Sequence, residues 1–118
     1  MAGDAVRHRL RLMTASEPLS AAEVTERLKA SESDVRALGV RRLALFGSVL
    51  HGDARPDSDV DLLVEFVPGE KTYTRFLGLC DLLEAVLGRR VELVTVEALS
   101  PFLGPRILAE AKDVLRAA

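Results

Sequence analysis

Residues 41–66 read RRLALFGSVLHGDARPDSDVDLLVEF, and the reading of this stretch decides the fold. Arg41 to Phe46 is short, apolar and stopped abruptly by Gly47-Ser48, which predicts a strand running into a turn. A second strand is predicted from Asp59 to Phe66, bounded by Pro56 and Ser58 on one side and Pro68-Gly69 on the other. It alternates with period two. Val60, Leu62, Val64 and Phe66 share one face, while Asp59, Asp61, Leu63 and Glu65 share the opposite one. The core is expected under the first set.

Upstream, Ser20-Ala21-Ala22-Glu23 has the spacing of a helix capping box. Val24, Leu28, Val35 and Leu38 then recur at near-helical intervals up to Gly39. Ser31, Ser33 and Asp34 compete for backbone hydrogen bonds in the middle of this helix and mark a place for a break. Downstream, a helix is predicted from Tyr73 to Leu87 with Gly88 in the stop position, then a third strand from Arg90 to Val96. Helical turns are predicted around Ala98–Phe102 and Pro105–Leu115. Helices interleaved with strands indicate an α/β or α+β domain, a small sheet with helices packed on one face.

The chain has 118 residues, room for one domain. Residues 1–18, with Arg7, Arg9 and Arg11, read as a flexible terminal segment, and 19–118 as the domain. Lysine and arginine number 16 against 18 acidic residues, so the positive excess on which non-specific duplex binding relies is missing, and a nucleic-acid partner is not indicated. One cysteine, Cys80, cannot make an intrachain disulfide and reads as a small core residue among Phe76, Leu77, Leu79 and Leu83. No apolar run is long enough to span a membrane and no signal-peptide pattern is present, so a cytoplasmic location is expected. Two histidines and one cysteine offer no zinc site.

The chemistry is concentrated in Gly47-Ser48-Val49-Leu50-His51-Gly52 and Ser58-Asp59-Val60-Asp61-Leu62. Asp59 and Asp61 lie two positions apart on a strand, so their carboxylates project from one face with backbone origins roughly 6.5 Å apart. At an effective dielectric of about 20 such charges repel by roughly 2.5 kcal/mol, which a shared divalent cation turns into attraction. Magnesium suits the pair, because it takes oxygen ligands and is completed by substrate phosphates. Taken alone, an Asp-x-Asp is more often a solvated sheet face. The Gly-Ser element just upstream changes that balance, since glycine lets a phosphate approach the main chain and the Ser48 hydroxyl can donate to it. Ordinary turn formation is the competing account of Gly47 and Gly52. A P-loop is excluded, because Asp53 follows Gly52 where a Walker motif needs lysine.

Gly47-Ser48, Gly52 and Ser58-Asp59-Val60-Asp61-Leu62 together resemble the Gly-Ser and Asp-x-Asp signature of the DNA polymerase beta-like nucleotidyltransferase superfamily. The short length resembles its minimal nucleotidyltransferase (MNT) family, and the likeness extends from about Leu19 to Leu115, taking in residues 39–46 and 91–95. The resemblance implies a mixed sheet carrying the metal site, ATP as donor, and pairing with a HEPN-domain toxin that this chain restrains as antitoxin. It implies that Gly47, Ser48, Gly52 and Ser58 bind the nucleotide, that Asp59 and Asp61 hold two Mg2+ ions, and that a tyrosine hydroxyl of the partner accepts AMP. The family's third acidic position, frequently aspartate, falls on Glu92, between Val91 and Leu93, which face the other side. Its carboxylate joins the predicted catalytic and metal-binding set.

One extra methylene at Glu92 exceeds the roughly 0.5 Å tolerance of a catalytic constellation, so a nucleotide-binding antitoxin that acts by occlusion is the alternative. A chain this short leaves little surface for an acceptor, so specificity comes from another chain or from self-association. Glu65 reads as solvated, His51 as an exposed loop residue, and Arg55, Lys71, Arg89 and Arg90 as surface cations.

Overall fold

The computed structural model describes residues 18–116. All but the last residue of the predicted flexible segment lies outside the described residues. Helix α1 (Ala21–Ala30) opens with the expected capping box, in which the Ser20 hydroxyl accepts from the Glu23 backbone N–H at 3.1 Å and the Glu23 carboxylate accepts from the Ser20 backbone N–H at 3.3 Å. The predicted break falls at Ser31, where the chain leaves α1 and re-enters a short helix α2 (Glu32–Ala37). Val24, Leu28 and Val35 are buried, so both helices turn the same apolar stripe inward.

Among the described residues four strands follow, one more than the sequence pattern shows. They are β1 (Val40–Phe46), β2 (Val60–Phe66), β3 (Val91–Thr95) and β4 (Lys112–Arg116), in the order β3-β2-β1-β4. β1 pairs antiparallel with β2 and β4, whereas β2 and β3 are parallel, so the sheet is mixed. Parallel neighbours need a long crossover. Helix α4 (Tyr73–Leu87) provides it, with the Thr72 hydroxyl accepting from the Arg75 backbone N–H and Leu79, Leu83 and Leu87 buried at four-residue intervals. Between β1 and β2 lies the short helix α3 (Gly47–His51).

Two expectations for the C-terminal part are corrected. The turn after β3 is a 3-10 turn at Val96–Ala98 rather than helix over Ala98–Phe102. The last helix, α5 (Gly104–Glu110), stops at Glu110, and Lys112–Arg116 pairs with β1 instead of continuing as helix to Leu115. Leu115 stands opposite Leu43, and Arg42 bonds Asp113 at 2.5 Å, so pairing with a strand distant in sequence outweighs local helix propensity.

The core lies on one face of the sheet. Leu43 and Leu45 of β1, Val60, Leu62, Val64 and Phe66 of β2, and the inward stripes of α1, α2 and α4 form one cluster, as the alternation predicts. Each fully buried aliphatic side chain there is worth about 1.5–3 kcal/mol. The opposite face is less polar than expected, because Ala44 and Leu63 are also buried, and the 3-10 turn packs against β2. Cys80 is only half-buried and stands outside the core cluster, with burial, then the charges of Glu84 and Asp81, pushing its thiol up. Among the described residues no helix is long and apolar enough to cross a membrane.

Candidate functional site

The site forms where β1 ends and β2 begins. Because β1 and β2 run antiparallel, Phe46 lies opposite Asp61, and the parallel pairing of β2 with β3 puts Glu92 beside Asp61 in turn. Glu92, Asp61 and Phe46 therefore form one row across the face away from the core, at steps of about 4.8 Å per strand. The Asp61 and Glu92 carboxyl groups therefore lie side by side on adjacent strands, so the charge of one bears on the other. Burial foremost, then the neighbouring Glu92 carboxyl, then the charge of Asp59, push the Asp61 carboxyl from 3.8 up to about 6.

Gly47 stands directly against Asp61. Its φ of +77° is left-handed, and a Cβ built on it would collide with the Asp61 carboxylate and come within 2.9 Å of its Cγ. Any side chain there would strain the backbone and push the Asp61 carboxylate aside. Ser48 follows in the first turn of α3, its carbonyl accepting from the Asp53 backbone N–H at 2.9 Å. Gly52 behaves differently, since its φ of +76° ends α3 and nothing lies within 4 Å of where its Cβ would be. For Gly52 the turn account suffices. The Ser58 hydroxyl accepts from the Arg55 backbone N–H at 2.8 Å and so closes the loop that delivers β2.

Of the predicted set, Asp61, Glu92 and Gly47 are thus brought together, with Ser48 adjoining. Asp59 lies just before β2, near enough to act on Asp61 by charge, and Arg90 approaches it at 3.5 Å. Among the described residues no three carboxylate, imidazole or thiol groups converge as a preformed metal cluster. Glu65, farther along the same face, pairs with Arg41 at 3.5 Å, and Lys71 with Glu97 at 3.4 Å.

One cluster was not anticipated. His51 is the last residue of α3 rather than a loop residue, and its Nε2 lies 3.3 Å from Glu110, which also bonds Arg106 at 3.2 Å. The Arg106 bond first, and His51 second, hold the Glu110 carboxyl below the usual carboxylate range. The four-residue spacing of Arg106 and Glu110 is legible along α5, but their meeting with His51 depends on how α5 docks beside α3. These three side chains and Phe46, Gly47 and Ile107 line a groove of about 500 Å³.

The glycine-serine turn thus stands on Asp61, with Glu92 beside it and Asp59 just ahead of the strand. The chain belongs to the nucleotidyltransferase domain family, whose model matches residues 24–114. It is similar to a protein adenylyltransferase, MntA, of Thermococcus cleftensis, 38% identical over 95 residues that cover 78% of this chain and 93% of that protein. A solved structure described as a minimal nucleotidyltransferase superposes with a TM-score of 0.70 at 38% identity, over 80% of this chain and 95% of the other. The chain is thus a nucleotidyltransferase of the minimal type, as its signature residues led one to expect. The fold recurs in the complex of a tri-AMPylated Shewanella oneidensis HEPN toxin with MNT antitoxin, at a TM-score of 0.51 and 20% identity, over 75% of this chain and 72% of that one.

Proposed function

We propose that this chain is the antitoxin of a toxin–antitoxin pair and transfers AMP from ATP to a hydroxyl of a HEPN-domain partner, a tyrosine by preference, with divalent metal at Asp59, Asp61 and Glu92. The observation that carries the reading is the carboxylate pair. Asp61 and Glu92 sit side by side on adjacent strands, and Asp61 abuts the glycine turn. Two acidic groups held this close are short of positive charge, and an all-oxygen donor set fits Mg2+. When bound there, two such ions supply charge neutralisation on the phosphates and lower the pKa of the attacking hydroxyl.

The rest falls to the chain's own residues. Gly47 leaves room for phosphate against the main chain, and the Ser48 hydroxyl donates to it. Ser58 holds the loop that aims Asp59 and Asp61, while Glu92 orients the incoming hydroxyl. Such positioning and electrostatics account for most of the acceleration in phosphoryl-type transfer. The relative named a protein adenylyltransferase and the solved complex with a modified HEPN toxin support this acceptor class.

The test is incubation with ATP, Mg2+ and a HEPN-domain protein encoded beside this chain, followed by intact-mass measurement. AMP additions to the partner are expected, and Asp59→Asn and Asp61→Asn should bind the partner without modifying it. A second reading, neutralisation by occlusion, is favoured by two observations: Arg90 already partners Asp59, and no three-ligand cluster is preformed among the described residues. Neutralisation by both variants with no mass change in any sample would establish occlusion and remove the enzymatic reading.

A further inference from the structure

The row Glu92–Asp61–Phe46 gives the site a direction, and the groove between α3 and α5 opens at its Phe46 end. Nucleotidyl transfer forms a bond from the acceptor oxygen to the α-phosphorus and breaks the bond from that phosphorus to the oxygen bridging toward the β-phosphate. Pyrophosphate departs, and the acceptor loses its hydroxyl proton to solvent. Entering and leaving oxygens lie in line on opposite sides of the phosphorus. If Glu92 orients the acceptor, the leaving group points to the other end of the row, past Asp61, toward Phe46 and α5.

That end carries a guanidinium and an imidazole. Arg106 and His51 stand in the groove wall, both bonded to Glu110 and to no other carboxylate in the pairs that form there. Arg90, near the opposite end, approaches Asp59 instead. Gly47 lines the same groove as Arg106 and His51. The Arg106 guanidinium presents a fork that matches phosphate oxygens.

We propose that this groove seats the departing pyrophosphate, with Arg106 and His51 holding it and Glu110 as the placeholder they bond until phosphate arrives. The assignment rests on the nucleotidyl-transfer reading. Glu110 is exposed and sits at the end of α5, so it can yield its two partners without disturbing the core. Arg106 is thereby a leaving-group-binding residue, and Glu110 restrains the affinity of the empty site.

The test is calorimetric titration of the full chain, in Mg2+, with inorganic tripolyphosphate, ATP and AMP as separate probes. Arg106→Gln should weaken tripolyphosphate binding about tenfold or more, the loss of a charge-assisted bond, and leave AMP binding unchanged. Glu110→Gln should strengthen tripolyphosphate binding, a gain that a purely structural role would not produce. The Arg106 side chain is 77% exposed, so an unchanged urea midpoint is expected and shows that the variant is folded. Equal weakening of AMP and tripolyphosphate would place the ribose or base in the groove and overturn the assignment. Unchanged tripolyphosphate binding in Arg106→Gln, or weakened binding in Glu110→Gln, would overturn it too. If the unaltered protein binds ATP and only the variants fail to respond, the groove assignment falls alone. If the unaltered protein binds neither ATP nor tripolyphosphate, the nucleotidyl-transfer reading falls with it.

Discussion

Replacing Asp61 by Asn should make the ligand-free protein more stable at neutral pH. In the folded chain the Asp61 carboxyl is raised from 3.8 to about 6, chiefly by burial and then by Glu92. A folded pKa above the unfolded one means that the native state holds its proton more tightly. Below about pH 4 both states are protonated and the group contributes no penalty. As pH climbs toward 6 the unfolded chain ionises first, and stability falls; above 6 the penalty is complete and constant. Two pH units correspond to at most about 3 kcal/mol. Asp61 keeps some contact with water, and screening reduces this to about 1–1.5 kcal/mol. Asn keeps the shape, cannot ionise, and can donate to Glu92, so the variant escapes the penalty.

In a chain of this size each kcal/mol moves the melting temperature by roughly 4–8 °C. Thermal melts in EDTA should therefore show Asp61→Asn several degrees above the unaltered protein at pH 7.5 and level with it below pH 4. Mg2+ with ATP should then raise the unaltered protein by about 2.7 kcal/mol at a hundredfold excess over Kd and leave the variant nearly unmoved. A variant less stable at pH 7.5, or one whose advantage persists unchanged at pH 3.5, would refute the reasoning.

Glu92→Ala should lower the transfer rate at least about tenfold while leaving triphosphate affinity within a few-fold, and Glu92→Asp should keep the rate, as single-turnover kinetics would show. Gly47→Ala should cost about 2–5 kcal/mol, because a left-handed φ and a collision with the Asp61 carboxylate add, and urea denaturation measures it. Leu115→Ala should cost about 2–4 kcal/mol in the same assay, since Leu115 is 3% exposed and faces Leu43. Ser20→Ala should cost about 1 kcal/mol by removing the cap of α1.

Local rules carried much of this architecture. The capping box at Ser20, the span Tyr73–Leu87 and the alternation of β2 each rest on neighbours within a few residues, and each appears as read. β4 was not legible, because Ile107, Leu108, Val114 and Leu115 sit at intervals that suit one continuous helix, and the competing strand exists only through β1, some seventy residues earlier in the chain. Leu63 was assigned to the polar face by strict alternation, yet it is buried, since a sheet face need not be wholly solvated when chain folds over it. Within the site, Asp59, Asp61 and Gly47 announced themselves by spacing. That Glu92 stands level with Asp61 is a matter of parallel register, which no window of sequence contains. The His51–Glu110–Arg106 cluster was hidden for the same reason.

The seating of Gly47 on Asp61 makes the two halves of the site one mechanical part. On the proposed function, a longer acid at position 61 would do more than shift a ligand for the cation; it would press on the Gly47 turn, so Asp61→Glu is no conservative exchange here. Conversely, a phosphate that tightens the turn also fixes the carboxylate in place. If cation and nucleotide bind here as proposed, each should bind better in the presence of the other by the same factor, a reciprocity that thermodynamics demands once one contact serves both. Cooperative loading thus needs no moving domain, only a missing Cβ.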